Sequence, residues 1–296
     1  MTEDRFPLVR RLYRTQPDTQ VAVDEQLLSN PKAHAILVHG LEGSSQSGYV
    51  RSLSRDLLEA GVSVHRFNMR SCGGTEHLCK TNYHAGQTAD LKHVLTEIRK
   101  TDPLRPLFLI GYSLGGNACL KLAGEFAGQG LIDGVAGIST PLDLARCCAR
   151  LNEPRNFIYQ RRFVNALKSR IRRRHALQPD QYDLKPLDGV RSIWEFDDVY
   201  TAKLFGFGTA LNYFKTQSAG QFLQAIDVPC LVIQAKDDPM IPFDVYDREP
   251  ALHGGNRNIR FLPFDTGGHV GFVSKSTPRF WIDPIITRWL LETGNI

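Results

Sequence analysis

The chain lacks any apolar run near the roughly 18 residues that a bilayer-crossing helix requires, which excludes a membrane span of that kind. Its opening residues, Met-Thr-Glu-Asp-Arg, carry no apolar core of a secretory leader, so a cytoplasmic location is expected. Cysteine is sparse: Cys72, Cys79, Cys119, Cys147, Cys148 and Cys230 form no C-x-x-C pair and no ligand spacing, so neither a metal nor any other cofactor is implied. Cys119 and Cys230 sit in apolar segments and are expected as buried thiols. Charge of one sign is also modest. A formal +5 and a pI near 8.9 do not indicate a nucleic-acid partner, and no interleaved aromatic and basic module supports one. No internal repeat or low-complexity tract is visible.

An apolar content of 42% is present and is enough for a sizeable core, and 296 residues suit one large α/β domain with an insertion, or two domains. Short apolar runs alternate with helix-patterned ones. Strands are expected at Ala33–Val38, Val62–Phe67, Leu107–Ile110, Val135–Ile138, Leu231–Ala235 and Ile259–Phe264. Helices are expected at Tyr49–Ala60, Thr88–Lys100 and Asn117–Ala127. This alternation predicts a mostly parallel sheet with helices on both faces, whose ligand lies beyond the C-terminal strand ends. Residues 142–220 break the rhythm and are helix-rich. We expect them to form a helical cap on a core made of 1–141 and 221–296.

Polar clusters fall at the expected strand ends. Gly111-Tyr112-Ser113-Leu114-Gly115 follows one strand and precedes a helix, the setting of a nucleophile elbow, with Ser113 as candidate nucleophile. Hydrolysis then needs a base and a group that orients it. Among nine histidines, His269, in Gly267-Gly268-His269-Val270-Gly271, follows the last strand and is the preferred base; His253 is a rival. The acid lies in Lys236-Asp237-Asp238-Pro239. Asp238, four residues before Pro242, is favoured over Asp237, which stays open as the alternative. Backbone N–H groups of Leu41 and Leu114 are the expected oxyanion donors. His39 and Glu42, in the same early loop, are read as structural.

These blocks together resemble the YheT-like branch of the α/β-hydrolases. That group includes abhydrolase-domain esterases and phospholipases and yeast medium-chain acyltransferases. The resemblance runs through His39-Gly40-Leu41-Glu42-Gly43-Ser44, Asn68-Met69-Arg70-Ser71-Cys72-Gly73-Gly74, Tyr83-His84-Ala85-Gly86, the elbow with its Asn117, Ser139-Thr140-Pro141, Phe196-Asp197-Asp198, and the acid and base loops. It implies an α/β-hydrolase fold with an inserted cap and a serine carboxylic-ester hydrolase acting on acyl esters or lipids. Acyl transfer to an alcohol is the alternative, and a non-catalytic binding protein the distant one. Two departures stand out. Ser71 replaces the group's usual glycine, and the usual Pro-His-x-Gln-Thr segment is not found.

Within the expected cap, Phe163, Val164, Leu167 and Ile171 make one helical stripe. Arg161, Arg162, Lys168, Arg170, Arg172, Arg173 and Arg174 crowd the remainder, either as a solvated face or as a contact for anionic lipid. Trp194, Phe196, Tyr200, Phe205, Phe207, Tyr213 and Phe214 are read either as packing or as the wall of an acyl pocket.

Overall fold

The computed structural model describes residues 6–296; the opening Met-Thr-Glu-Asp-Arg, on which the leader expectation rests, lies outside the described residues. An eight-stranded sheet runs in the order β1-β2-β4-β3-β5-β6-β7-β8. Its centre is parallel: β3 (Ala33–Val38), β4 (Val62–Phe67), β5 (Leu107–Tyr112), β6 (Gly134–Ile138) and β7 (Cys230–Ala235). Every residue of these five strands is buried, which is why most of them read as mainly apolar runs and not as strict alternation; His34, Ser63, His65, Arg66 and Gln234 are buried polar exceptions. β8 (Ile259–Phe264) closes one edge in parallel and is more exposed.

The other edge is a ribbon that the apolar pattern did not announce. β1 (Val9–Gln16) and β2 (Thr19–Gln26) pair antiparallel, and β2 pairs antiparallel with β4. β1 is exposed at most positions, and in β2 buried charge disguises the strand. Asp24 takes two bonds from Arg10, at 2.7 and 2.9 Å, while Glu25 accepts from Tyr13 Oη at 2.6 Å.

Helices cover both faces. On one lie α1 (Gly48–Glu59) and a terminal helix at Asp283–Gly294, packed around Leu53, Leu57, Ile286 and Trp289. On the other lie α2 (Ala89–Thr101) and α3 (Leu114–Glu125). Between β6 and β7 the chain makes α4 (Leu144–Leu151), α5 (Phe157–Leu177), α6 (Ile193–Phe196), a π-helical turn at Asp197–Thr201, α7 (Ala202–Leu204) and α8 (Ala210–Gln217). These starts are locally encoded. Asp143 and Thr209 accept the N–H of Arg146 and Asn212, and Ser192 with Glu195 forms a capping box. Aromatic pairs knit the segment together, with Trp194–Phe214 centroids 4.9 Å apart and Phe207–Tyr213 at 5.1 Å. Among the described residues no helix is long and apolar enough to cross a membrane.

The basic face of α5 divides. Arg161, Arg162, Arg172 and Arg173 are exposed, but Arg170 and Arg174 are buried. Positions 163, 167, 170 and 174 follow helical spacing, so these two arginines continue the apolar stripe inward. Arg174 reaches the carbonyls of Glu76 and Lys80 and stacks on Tyr182.

Candidate active site

The chain passes from β5 into α3 through a turn at Ser113, whose φ of 51° is left-handed. Two glycines permit it. A Cβ on Gly111 would lie 2.3 Å from the Gly115 carbonyl, and one on Gly115 would lie 2.4 Å from the His39 carbonyl. Strand, helix and the early loop thus meet at distances that only hydrogen side chains allow. The Ser113 N–H is held by the Ile138 carbonyl at 2.8 Å.

The late loop brings His269 against this serine. His269 Nε2 is 2.9 Å from Ser113 Oγ, and its Nδ1 is 2.9 Å from Asp238 Oδ2. With Nδ1 protonated toward the carboxylate, the Nε2 lone pair faces the hydroxyl, the tautomer that proton abstraction needs. Asp238 is held on every side. Its Oδ1 accepts from the N–H of Met240 and Ile241 at 2.9 and 3.2 Å, and Gln234 Nε2 reaches Oδ2 at 3.2 Å. Burial pushes its pKa up, but the neighbouring His269 and these donors outweigh it, so the carboxyl lies below its ordinary value.

The rival residues have other work. Asp237 Oδ1 accepts from Gly267 and Gly268 N–H at 2.9 and 2.8 Å and so ties down the base loop. His253 bonds the Tyr246 carbonyl at 3.0 Å, away from Ser113. His39 is fully buried, donates from Nδ1 to the Gly40 carbonyl at 2.8 Å, and accepts the Met69 N–H at Nε2. Burial drives its pKa down to about 4, so it is a neutral strut between two loops. Glu42 binds Tyr83 and Arg170.

Leu41 and Leu114 flank the serine. Both line its cavity, and a Cβ on Gly40 would lie 3.1 Å from Ser113 Cβ, so the early loop passes directly over the elbow. Leu114 opens α3, where helix N–H groups lack intrahelical acceptors.

The cavity at Ser113 has a volume of about 110 Å³ and lies between the strand ends and the inserted helices. Leu144, Leu151, Phe163, Leu167, Phe196 and Phe214 give it a mainly apolar wall, so aromatics of the inserted helices both pack and line the cavity. Among the polar residues there to which sequence reasoning gave no role at the site are His84, Arg170 and Asp197, together with Asn82, Tyr182 and Thr201. Burial pushes His84 down to about 3 and Asp197 up to about 7. His84 and Asp197 belong to motifs already picked out, whereas the signal for Arg170 was its place in the apolar stripe. All six cysteines are buried and free, and among the described residues no cluster of His, Cys, Asp and Glu could hold a metal.

A family model for the α/β-hydrolase fold matches residues 34–276. YheT of Escherichia coli (strain K12), an esterase by name, is 31% identical over 88% of this chain and 76% of its own length. A monoacylglycerol lipase of Saccharomyces cerevisiae is 28% identical over 96% of the chain, and the mouse phospholipase ABHD3 is 27% identical over 82%. The chain spans 63% and 59% of those two proteins. Among solved structures, the Pyrococcus furiosus esterase Pf2001 superposes with a TM-score of 0.64, covering 99% of this chain and 96% of that one at 16% identity, a likeness of fold.

Proposed function

The chain belongs to the YheT-like branch of the α/β-hydrolase family, and from that premise we propose that it is a serine carboxylic-ester hydrolase acting on acyl esters with an apolar acyl group. The observation that carries this reading is the linked pair of 2.9 Å contacts from Ser113 through His269 to Asp238. In this reading Ser113 Oγ attacks the ester carbonyl while its proton passes to His269 Nε2. Asp238 stays ionised and stabilises the imidazolium. The N–H groups of Leu41 and Leu114 receive the developing oxyanion. The C–O bond then breaks, and the alcohol leaves with the proton from His269. Water, deprotonated by the same nitrogen, attacks the acyl-enzyme and releases the acid and Ser113.

The inserted helices act as a cap whose apolar wall seats the acyl chain. Relatives named as a lipase and a phospholipase support lipid-like esters as substrates. The same apolar enclosure favours, as a second reading, an alcohol in place of water as acyl acceptor; ethyl ester formed in added ethanol would reveal it. Exposed Arg161 and Arg162, beside Phe157 at 60% and Ile158 at 77% exposure, suit contact with an anionic lipid surface. Sedimentation with phosphatidylglycerol vesicles, lost in an Arg161→Glu/Arg162→Glu variant, tests that contact.

The test of the main reading is p-nitrophenyl butyrate hydrolysis by the wild type and by Ser113→Ala. A fall in kcat of about 10⁶ is expected on the scale of other serine triads. Equal rates would sink it.

A further inference from the structure

Leu41 and Glu42 are the central residues of a tight turn closed by the Gly43 N–H on the Gly40 carbonyl at 3.1 Å. Glu42 has a φ of 55°, a left-handed conformation unfavourable for a residue with a Cβ. Such strain persists only where the surroundings over-determine it. Here two groups do so. The Glu42 N–H donates to Tyr83 Oη at 2.9 Å, and Tyr83 Oη donates to Glu42 Oε1 at 3.0 Å. Arg170 Nε donates to that same Oε1 at 2.7 Å.

Arg170 comes from α5, in the inserted segment, and every nitrogen of its guanidinium is used. Nη1 donates to the Ser71 carbonyl at 2.7 Å and to Ser71 Oγ at 3.0 Å, and Nη2 donates to Cys72 Sγ at 3.3 Å. The guanidinium carbon also lies 5.1 Å from the Tyr83 ring centre. Ser71 has a left-handed φ of 57° and supplies an extra hydroxyl acceptor. One cation therefore pins the loops that follow β3 and β4, and the Tyr83 segment, to the inserted helices. Glu42 and Arg170 also line both the cavity at Ser113 and a separate surface depression beside Ser44, Gln46 and Glu76. The pair is the partition between the site and that outer surface.

We propose that Arg170 is a positioning residue for oxyanion stabilisation: it locks the 40–43 turn in the strained form that aims the Leu41 N–H over Ser113. The oxyanion-binding half of the site is then complete only while α5 is docked. This rests on the hydrolase reading above.

The experiment compares Arg170→Gln, Arg170→Lys and Tyr83→Phe with the wild type, with Arg173→Gln as a surface control on the same helix. Each is assayed for kcat and KM on p-nitrophenyl butyrate and for inhibition by an alkyl trifluoromethyl ketone, which forms a tetrahedral adduct at the serine. Displacement of one donor predicts a kcat lower by about 10–100-fold in Arg170→Gln, with KM little changed. The ketone Ki rises by the same factor, since the adduct needs the same donors. Arg170→Lys recovers only part of this, because an ammonium cannot bridge Glu42, Ser71 and Cys72 together. Should Arg170→Gln fail to fold, Tyr83→Phe carries the test, with a smaller parallel loss of about tenfold. A folded Arg170→Gln, or failing it Tyr83→Phe, with unchanged kcat and Ki overturns the proposal. So does a kcat loss without a matching rise in Ki. An active Ser113→Ala overturns the hydrolase reading itself; an inactive one beside unaltered Arg170 variants overturns only this inference.

Discussion

Two regions face each other across the cavity and are held in opposite ways. The loops at the strand ends are strained and polar. Left-handed φ occurs at Glu42 after β3, Ser71 after β4, Ser113 after β5, Ser139 after β6, and Val270 and Phe272 after β8. Hydrogen bonds lock each shape: Ser139 Oγ accepts the Val270 N–H at 3.1 Å, and the Phe272 N–H reaches the Gly267 carbonyl at 2.7 Å. The inserted helices show left-handed φ among the described residues only at Gly206 and Gly208, and they cohere by aromatic and aliphatic packing. The strained side holds donors and acceptors in place through its hydrogen bonds, as proton transfer requires. The packed side fixes only a volume. Substitutions should therefore cost chemistry on one side and alter selectivity on the other.

The sharpest division lies between neighbouring aspartates on the strained side. Asp238→Asn should lower kcat by about 10⁴, because an amide favours the wrong histidine tautomer. Asp237→Ala removes only the tether of the base loop and should cost no more than about tenfold. Steady-state rates on p-nitrophenyl butyrate check both, and equal losses would erase the distinction.

Backbone strain gives the next contrast. Gly115→Ala places a Cβ 2.4 Å from the His39 carbonyl, so a loss of about 3 kcal/mol and of activity is expected. Gly206→Ala meets nothing within 4 Å and pays only for its φ of 74°, about 1–2 kcal/mol. Thermal melts of the two variants measure this difference directly.

On the packed side, Leu167→Trp narrows the cavity. It should cut kcat/KM for p-nitrophenyl octanoate about tenfold relative to the acetate, with the acetate rate nearly kept. A uniform loss on both esters would break the division between shape and chemistry.

The smallest effect concerns Asp197, whose carboxyl burial raises to about 7. Its folded pKa exceeds the unfolded value near 4, so the wild type loses stability as pH climbs between them, and the full penalty is present above the folded value. Asp197→Asn should therefore raise Tm by a few °C at about pH 8 and by progressively less toward about pH 4. Melts across that range test the sign, and a gain that grows toward acid would contradict it.

Much of the candidate site is legible in the sequence because each candidate group ends an apolar run. Ser113, Asp238 and His269 lie where parallel strands stop, and spacing to Pro242 favoured Asp238 over its neighbour. The six expected strands were legible for the same reason, since each is mainly apolar even where His34, His65, Arg66 or Arg260 interrupts it. β1 and β2 were not: β1 is exposed at most positions and has no apolar run, and in β2 the buried Asp24 and Glu25 break the pattern and become compatible with burial only when paired with Arg10 and with Tyr13 and His65. Arg170 was hidden among other cations on one helix. Its burial depends on acceptors from Glu42 and Ser71, more than ninety positions away in sequence, which no local pattern contains.

The proposed chemistry starts from Ser113 as an activated nucleophile. Intact-protein mass spectrometry after brief exposure to a fluorophosphonate tests it most directly, with peptide mapping of the adduct. One adduct per chain is expected, mapped to the peptide bearing Ser113, absent in Ser113→Ala and strongly slowed in Asp238→Asn. Labelling at another residue, or equal labelling of folded wild type and Ser113→Ala, would contradict it.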